Sequence, residues 1–239
     1  MYARLISFTL SLVRDFQLLC HARTLADDVG GAIVANNSAT ARPIRPRIIG
    51  FSELTMSGRL IEKQVIYSGK KVKLELHHLE DDETQTRHIR EVVVHPGAVV
   101  VMGILPDGQI ILIRTRRYAV GQILVELPAG TLERNEDPIN CAGRELLEET
   151  GYLAGRLKPI GNFYTSPGIL SEKMYAFVAY DLEKQQQALE EGEEIEVESA
   201  TLDDAIDMIR RGEIHDGKTV AALLIYDKFF RDQNANEKA

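Results

Sequence analysis

The spacing of apolar positions changes several times along this chain, and each change marks a new kind of element. Beyond residue 56, IEKQVIYSG, KKVKLELHHLE and TRHIREVVVHPG alternate polar and apolar positions, which predicts three strands with turns at Gly69-Lys70 and Asp81-Asp82. A sheet this small has little core of its own, so it is expected to pack on the main domain or on a second subunit. AVVVMGILPDGQIILIRTRRYAV then predicts two apolar strands around a Pro106-Asp107-Gly108 turn, and KPIGNFYTSPGILSEKMYAFVAYDL predicts strand, loop and strand. Between these stretches the period becomes helical. Asp137 is a good N-cap, Pro138 suits the first helical position and Gly151 a stop, so a helix is predicted over Pro138–Thr150 with Ile139, Ala142 and Leu146 as its buried stripe. Gln185 to Glu194 reads as an exposed polar connection. A capping box at Thr201–Asp204 opens a second helix that Gly212 ends, and IHDGKTVAALLIYDKFF predicts a third with Val220, Leu223, Leu224 and Phe230 in the core. His215, Asp216 and Lys218 read as a helix cap, because one histidine beside an aspartate does not define a zinc site.

The first 55 residues differ, with six arginines and no lysine. Arg4, Arg14 and Asp15 interrupt the apolar start before it reaches membrane length, and no clean signal-peptide pattern is present. VGGAIVANNSATARPIRPRIIG reads as a linker. This segment is open to four readings: a poorly ordered extension, an extra helix or docking arm, an arginine-rich organelle-targeting segment, or a prelude to a functional chain starting at Met56. Composition narrows the class. At 44% hydrophobic and 27% charged the chain is ordinary globular material, and its net charge of −8 argues against general nucleic-acid binding. Cys20 and Cys141 form no disulfide framework, so a reducing, cytoplasmic setting is expected.

The helix over 138–150 carries more acid than folding requires. Glu145, Glu148 and Glu149 stand at i, i+3 and i+4, a spacing expected to gather their carboxylates on the side opposite the apolar stripe. Like charges so placed repel by roughly 0.2–0.5 kcal/mol per exposed pair, and a hard divalent cation such as Mg2+ is the simplest remedy. A solvated acidic face is the other reading of such a cluster. Arg114, Arg116 and Arg117 end the second apolar strand, and guanidinium forks suit paired phosphate oxygens.

Gly130, five residues, Glu136, seven residues, Arg144-Glu145, Leu146, one residue, Glu148-Glu149, one residue and Gly151 together resemble the Nudix box of the Nudix hydrolases. Only the final position, usually aliphatic, departs, being Tyr152. The resemblance covers roughly Met56 to Phe230. It implies an α/β fold, an alpha-beta-alpha sandwich with a small N-terminal antiparallel sheet, and cleavage of a nucleoside diphosphate linked to another group. Pro167, sixteen positions beyond Gly151, and SPGILSEKMYAF resemble the catalytic loop of the ADP-ribose pyrophosphatase group. On that likeness the chain divides into an extension over 1–55, a small sheet over 56–95 that contributes to a homodimer and its substrate pocket, and a hydrolase domain over 96–232. The resemblance assigns Glu145, Glu148, Glu149 and the Ala129 carbonyl to Mg2+, with Mn2+ as a substitute. It casts Glu172, with Glu148 and Glu149, as catalytic, and Arg90, Arg117 and Glu126 as substrate-binding. Arg144 is expected to orient the glutamates and Glu136 to anchor the loop. Thr115-Arg116 stands where that group commonly has Gln-Tyr, which leaves the ring and ribose contacts open. The implied activity is conversion of ADP-ribose to AMP and ribose 5-phosphate, with no nucleic-acid or membrane partner. A pyrophosphatase for another nucleotide sugar and a noncatalytic ligand-sensing module are the alternatives.

Overall fold

The computed structural model describes residues 58–232. The expectations for residues 1–55, including Cys20, lie outside the described residues. β1 (Arg59–Ser68), β2 (Lys73–Glu80) and β3 (Arg87–Val94) form an antiparallel sheet in that order. Its turns fall where the sequence places them: the Gly69 N–H reaches the Val72 carbonyl at 2.9 Å, and Asp81 Oδ1 accepts the Glu83 and Thr84 N–H groups at 3.0 and 2.8 Å. β1 is exposed along its whole length, leaving Leu60, Ile61, Val65, Ile66 and Tyr67 open to solvent.

The remainder is a sandwich. β4 (Ala98–Gly103), β7 (Ala129–Thr131), β8 (Tyr152–Tyr164) and β9 (Lys173–Lys184) make a sheet ordered β7-β4-β9-β8, in which β4 and β9 run parallel. β5 (Ile110–Arg117), β6 (Gln122–Glu126) and β10 (Ile195–Ala200) make a second, ordered β10-β5-β6. Three helices complete the layers: α1 (Pro138–Thr150), α2 (Leu202–Arg211) and α3 (Gly217–Phe229). β4 is apolar at nearly every position because both its faces are covered. Ala98, Val100 and Met102 pack with Leu112 and Leu127 of the second-sheet side and Leu223 of α3, whereas Val99 and Val101 pack with Ala142 and Leu146 of α1. The fold is therefore the expected α/β sandwich with a small N-terminal antiparallel sheet.

Two local expectations change and one strand is added. β10 falls just beyond the stretch read as an exposed connection, and it had no clear apolar signal because its strand is carried by ladder pairing to β5 and by Glu198 meeting Arg114 at 2.8 Å. Leu224 is 45% exposed: adjacent leucines on a helix point about 100° apart, and the arc of Thr219, Ala222, Leu223 and Tyr226 takes the core. Ile139 is likewise exposed, because the buried arc of α1 runs through Cys141, Ala142 and Leu146. Among the described residues no helix is long and apolar enough to cross a membrane.

Candidate active site

The rotation of α1 decides where its glutamates go. Glu149 lies seven residues after Ala142, two turns on, so it returns to within about 20° of the same direction. It is consequently buried with the apolar stripe rather than opposite it. The end caps hold the helix in this setting: Asp137 accepts the Ile139 N–H, and Gly151, at φ 70°, turns its N–H back to the Leu147 carbonyl. Glu149 Oε2 accepts the Ala129 N–H at 2.9 Å. Since the N–H and C=O of one extended residue point to the same edge of its strand, the Ala129 carbonyl is turned toward the glutamate side of β7.

Glu145 sits directly above the strand. A Cβ built on Gly130 would lie 1.8 Å from the Glu145 carboxyl carbon, so only a glycine leaves room for that carboxylate. Arg144 gathers the rest: its Nε and one terminal nitrogen hold Glu136 at 2.9 and 3.0 Å, and its other terminal nitrogen meets Glu145 at 2.8 Å and Glu148 at 2.9 Å. Glu136 also accepts the Glu133 N–H at 2.9 Å, which ties the loop to the helix as expected. Three carboxylates thus share one guanidinium. The Arg144 hydrogen bonds pull Glu136 down to about 2, whereas burial raises Glu145 despite Arg144 beside it. Burial, with Glu145 and Glu193 nearby, pushes Glu149 up to about 8 against the Ala129 N–H and Arg117.

Such a set of hard oxygen donors with surplus negative charge fits a divalent cation. Among the described residues, however, no three His, Cys, Asp or Glu side chains meet as a metal cluster. Glu145 and Glu148 are turned toward Arg144, and Glu149 toward Ala129. The expectation that all three carboxylates gather opposite the apolar stripe is therefore corrected: Glu149 is buried with the stripe, Glu145 covers Gly130, and Glu148 is the outermost, its side chain 35% exposed.

β7 forms a ridge between two clefts, of about 630 Å³ and about 590 Å³, that share Arg117, Ala129, Gly130 and Thr131. The first holds Glu145, Glu149 and Glu193; the second holds Glu172, Tyr164 and Lys218. Strand alternation separates the three arginines. Arg114 and Arg116 face β10 and its flank, pairing with Glu198 and Glu194 at 2.8 and 3.2 Å, while Arg117 turns the other way. Its fork holds the wholly buried Glu126 at 2.9 and 2.6 Å, and the hydrogen bonds to Glu126 raise the Arg117 pKa. Lys218 also bonds Glu126, and reaches Asp216 at 2.9 Å. Asp216 caps α3 as expected, accepting the Thr219 N–H at 3.0 Å, but the part of Lys218 in the Glu126 site was not legible as a motif. Glu172 Oε2 accepts the Thr165 hydroxyl at 2.6 Å. Arg90 is exposed on β3 opposite His77 and lines neither cleft of its own chain.

The comparisons agree with this arrangement. Residues 94–223 match the NUDIX domain model. An ADP-ribose pyrophosphatase of Bacillus subtilis is 39% identical over 171 residues, 71% of this chain and 92% of the relative. A methanol dehydrogenase activator of Bacillus methanolicus is 40% identical over 167 residues, 69% and 90% of the two chains. A GDP-mannose pyrophosphatase of Salmonella typhimurium is 35% identical over 147 residues, 57% and 76%. A crystal structure of an ADP compounds hydrolase superposes with a TM-score of 0.66 at 23% identity, covering 74% of this chain and 96% of that one, which is a likeness of fold. With the domain match spanning more than half the sequence and the box residues brought together on α1 and β7, the chain belongs to the Nudix hydrolase family.

Proposed function

We propose that this enzyme hydrolyses the diphosphate of ADP-ribose to AMP and ribose 5-phosphate. The observation that carries the reading is the joint cleft at β7: buried helical carboxylates on one side, Glu172 on the other, and Arg117 common to both. The 39% identity to the Bacillus subtilis pyrophosphatase supports the choice of substrate. Glu145, Glu148, Glu149 and the Ala129 carbonyl are the donors for Mg2+, or Mn2+ in its place. When bound, the ion supplies positive charge to the phosphate oxygens and acidifies water. Arg117, fixed by Glu126 and still 39% exposed at its side chain, presents its open edge to the diphosphate. Lys218 balances the second half of the Glu126 charge, so Arg117 keeps its geometry without being fully neutralised. Glu172 takes the proton of the attacking water, and its place just before β9, beyond the Pro167 turn, sets it beside the ridge rather than among the metal donors.

The exposed apolar residues of β1 support a homodimer in which the small sheet docks on a second copy, and Arg90 then serves the other subunit's cleft. The free, buried Cys141 agrees with a cytoplasmic enzyme. The test is a panel: purified protein with Mg2+ and, separately, ADP-ribose, GDP-mannose, other nucleotide sugars and NADH, with products identified by mass. AMP from ADP-ribose at the highest kcat/KM is expected; preferential cleavage of GDP-mannose would overturn the substrate. Light scattering is expected to give twice the chain mass.

A further inference from the structure

The loop that carries Glu172 is strapped to the junction between β3 and β4. Val93 donates to the Ile169 carbonyl at 2.8 Å and accepts from the Ser171 N–H at 2.9 Å, so residues 169–171 run beside the end of β3 like a short added strand. The His95 N–H meets Ser171 Oγ at 2.9 Å. Two side chains then flank the Glu172 carboxylate. Thr165 donates its hydroxyl to Oε2 at 2.6 Å, and His95 Nδ1 stands 3.5 Å from Oε1. The imidazole is fixed in turn, because its Nδ1 accepts the Gly97 N–H at 3.1 Å and its side chain is only 8% exposed.

The chemistry of that ring is informative. A nitrogen that accepts a backbone N–H carries a lone pair, so the neutral ring has its proton on Nε2. Burial, with Lys71 nearby, keeps the imidazole below its ordinary value against the pull of Glu172. His95 therefore offers Glu172 a wall and no donor. Oε2 is held by Thr165, while Oε1 stays unquenched by the ring and open to a proton. The Gly97 N–H pins the edge of the ring that faces Glu172, so a Phe at position 95 would keep the bulk but not its placement, whereas an Asn would keep the bond and set its Oδ1 at nearly the place of Nδ1 beside Glu172.

We propose that His95 and Thr165 are positioning residues for Glu172, orienting its carboxylate for water from two sides, a role that rests on Glu172 acting as the base. The full-length enzyme is assayed with ADP-ribose and Mg2+ as E172Q, H95N, H95F, T165S and T165V, with thermal midpoints measured alongside. H95F and T165V are expected to lower kcat about tenfold or more with KM within about twofold, since a misplacement of ~1 Å can cost ~100-fold. H95N and T165S are expected to restore most of it. In the E172Q background H95F and T165V are expected to add nothing, because the group they orient is gone. If H95F is more active than H95N, the ring serves only packing and the proposal falls. Impaired E172Q with normal H95F and T165V overturns the proposal alone. Normal turnover of E172Q removes the base itself, and the proposal with it, while leaving the substrate assignment to the panel above.

Discussion

Replacing Gly130 with alanine should disarm the site while leaving the fold intact. The added Cβ would stand 1.8 Å from the Glu145 carboxyl carbon and 2.0 Å from its Oε1. Carbon atoms in contact settle at about 3.5 Å, so the carboxylate must retreat by about 1.7 Å. The retreat is inexpensive in stability. Gly130 does not use the left-handed backbone region, and the atoms it meets end a flexible side chain. Alanine at such a position gains about 0.4–1 kcal/mol through the unfolded chain, which offsets the rotamer change. Catalysis has no such relief, because a 1 Å error in a reacting constellation costs ~100-fold. We therefore expect kcat for ADP-ribose to fall at least about 100-fold in G130A, with a thermal midpoint within a few degrees of wild type. The pair G130A/E145Q should be no slower than E145Q alone, since both act through one carboxylate. Retention of half the wild-type kcat, or additive losses in the double variant, would refute the argument.

Four further outcomes follow from the buried ionisable groups and their partners. Glu149 moves from an ordinary 4.5 to about 8 in the folded protein, mainly through burial. A carboxyl whose folded pKa is raised stabilises the fold below its unfolded value and loses that contribution as pH climbs through the folded one. In chelator, urea midpoints should thus decline between about 4.5 and about 8, and E149Q should flatten that decline; Mg2+ should flatten it too by stabilising the ionised form. E126A leaves Arg117 and Lys218 without their shared carboxylate, and should lose about 3 kcal/mol in urea unfolding, while R117K should raise KM because an ammonium has no fork. Burial holds the Cys141 thiol up at about 12, so the C20S variant should show no native reaction with an aromatic disulfide reagent and one thiol after denaturation.

Much of this protein was legible without coordinates, because the signals were local. Alternation and turn residues placed the strands and hairpins of the small sheet, and Asp137, Pro138 and Gly151 placed α1 to the residue. The box spacing named the family, and the loop around Pro167 brought Glu172 into view. What stayed hidden depends on which face a helix or strand buries against something distant in sequence. Counting residues put Glu145, Glu148 and Glu149 together, but only packing against β4 shows that Glu149 shares the arc of Ala142 and Leu146. Arg114, Arg116 and Arg117 read alike in sequence, and β10, a strand with scarcely any pattern, claims the first and the loop beside it the second. Lys218 and His95 carry no motif at all; they join the site across 92 and 77 positions, to Glu126 and Glu172, because α3 docks on the end of β6 and the Glu172 loop pairs with β3. The sequence by itself determined the family, the acidic helix and most of the elements, β7 and β10 apart, since each is written within a few turns of chain. The tertiary structure alone decided which carboxylates are buried and which cation holds each, since burial and pairing are properties of surfaces that meet only once the chain has folded.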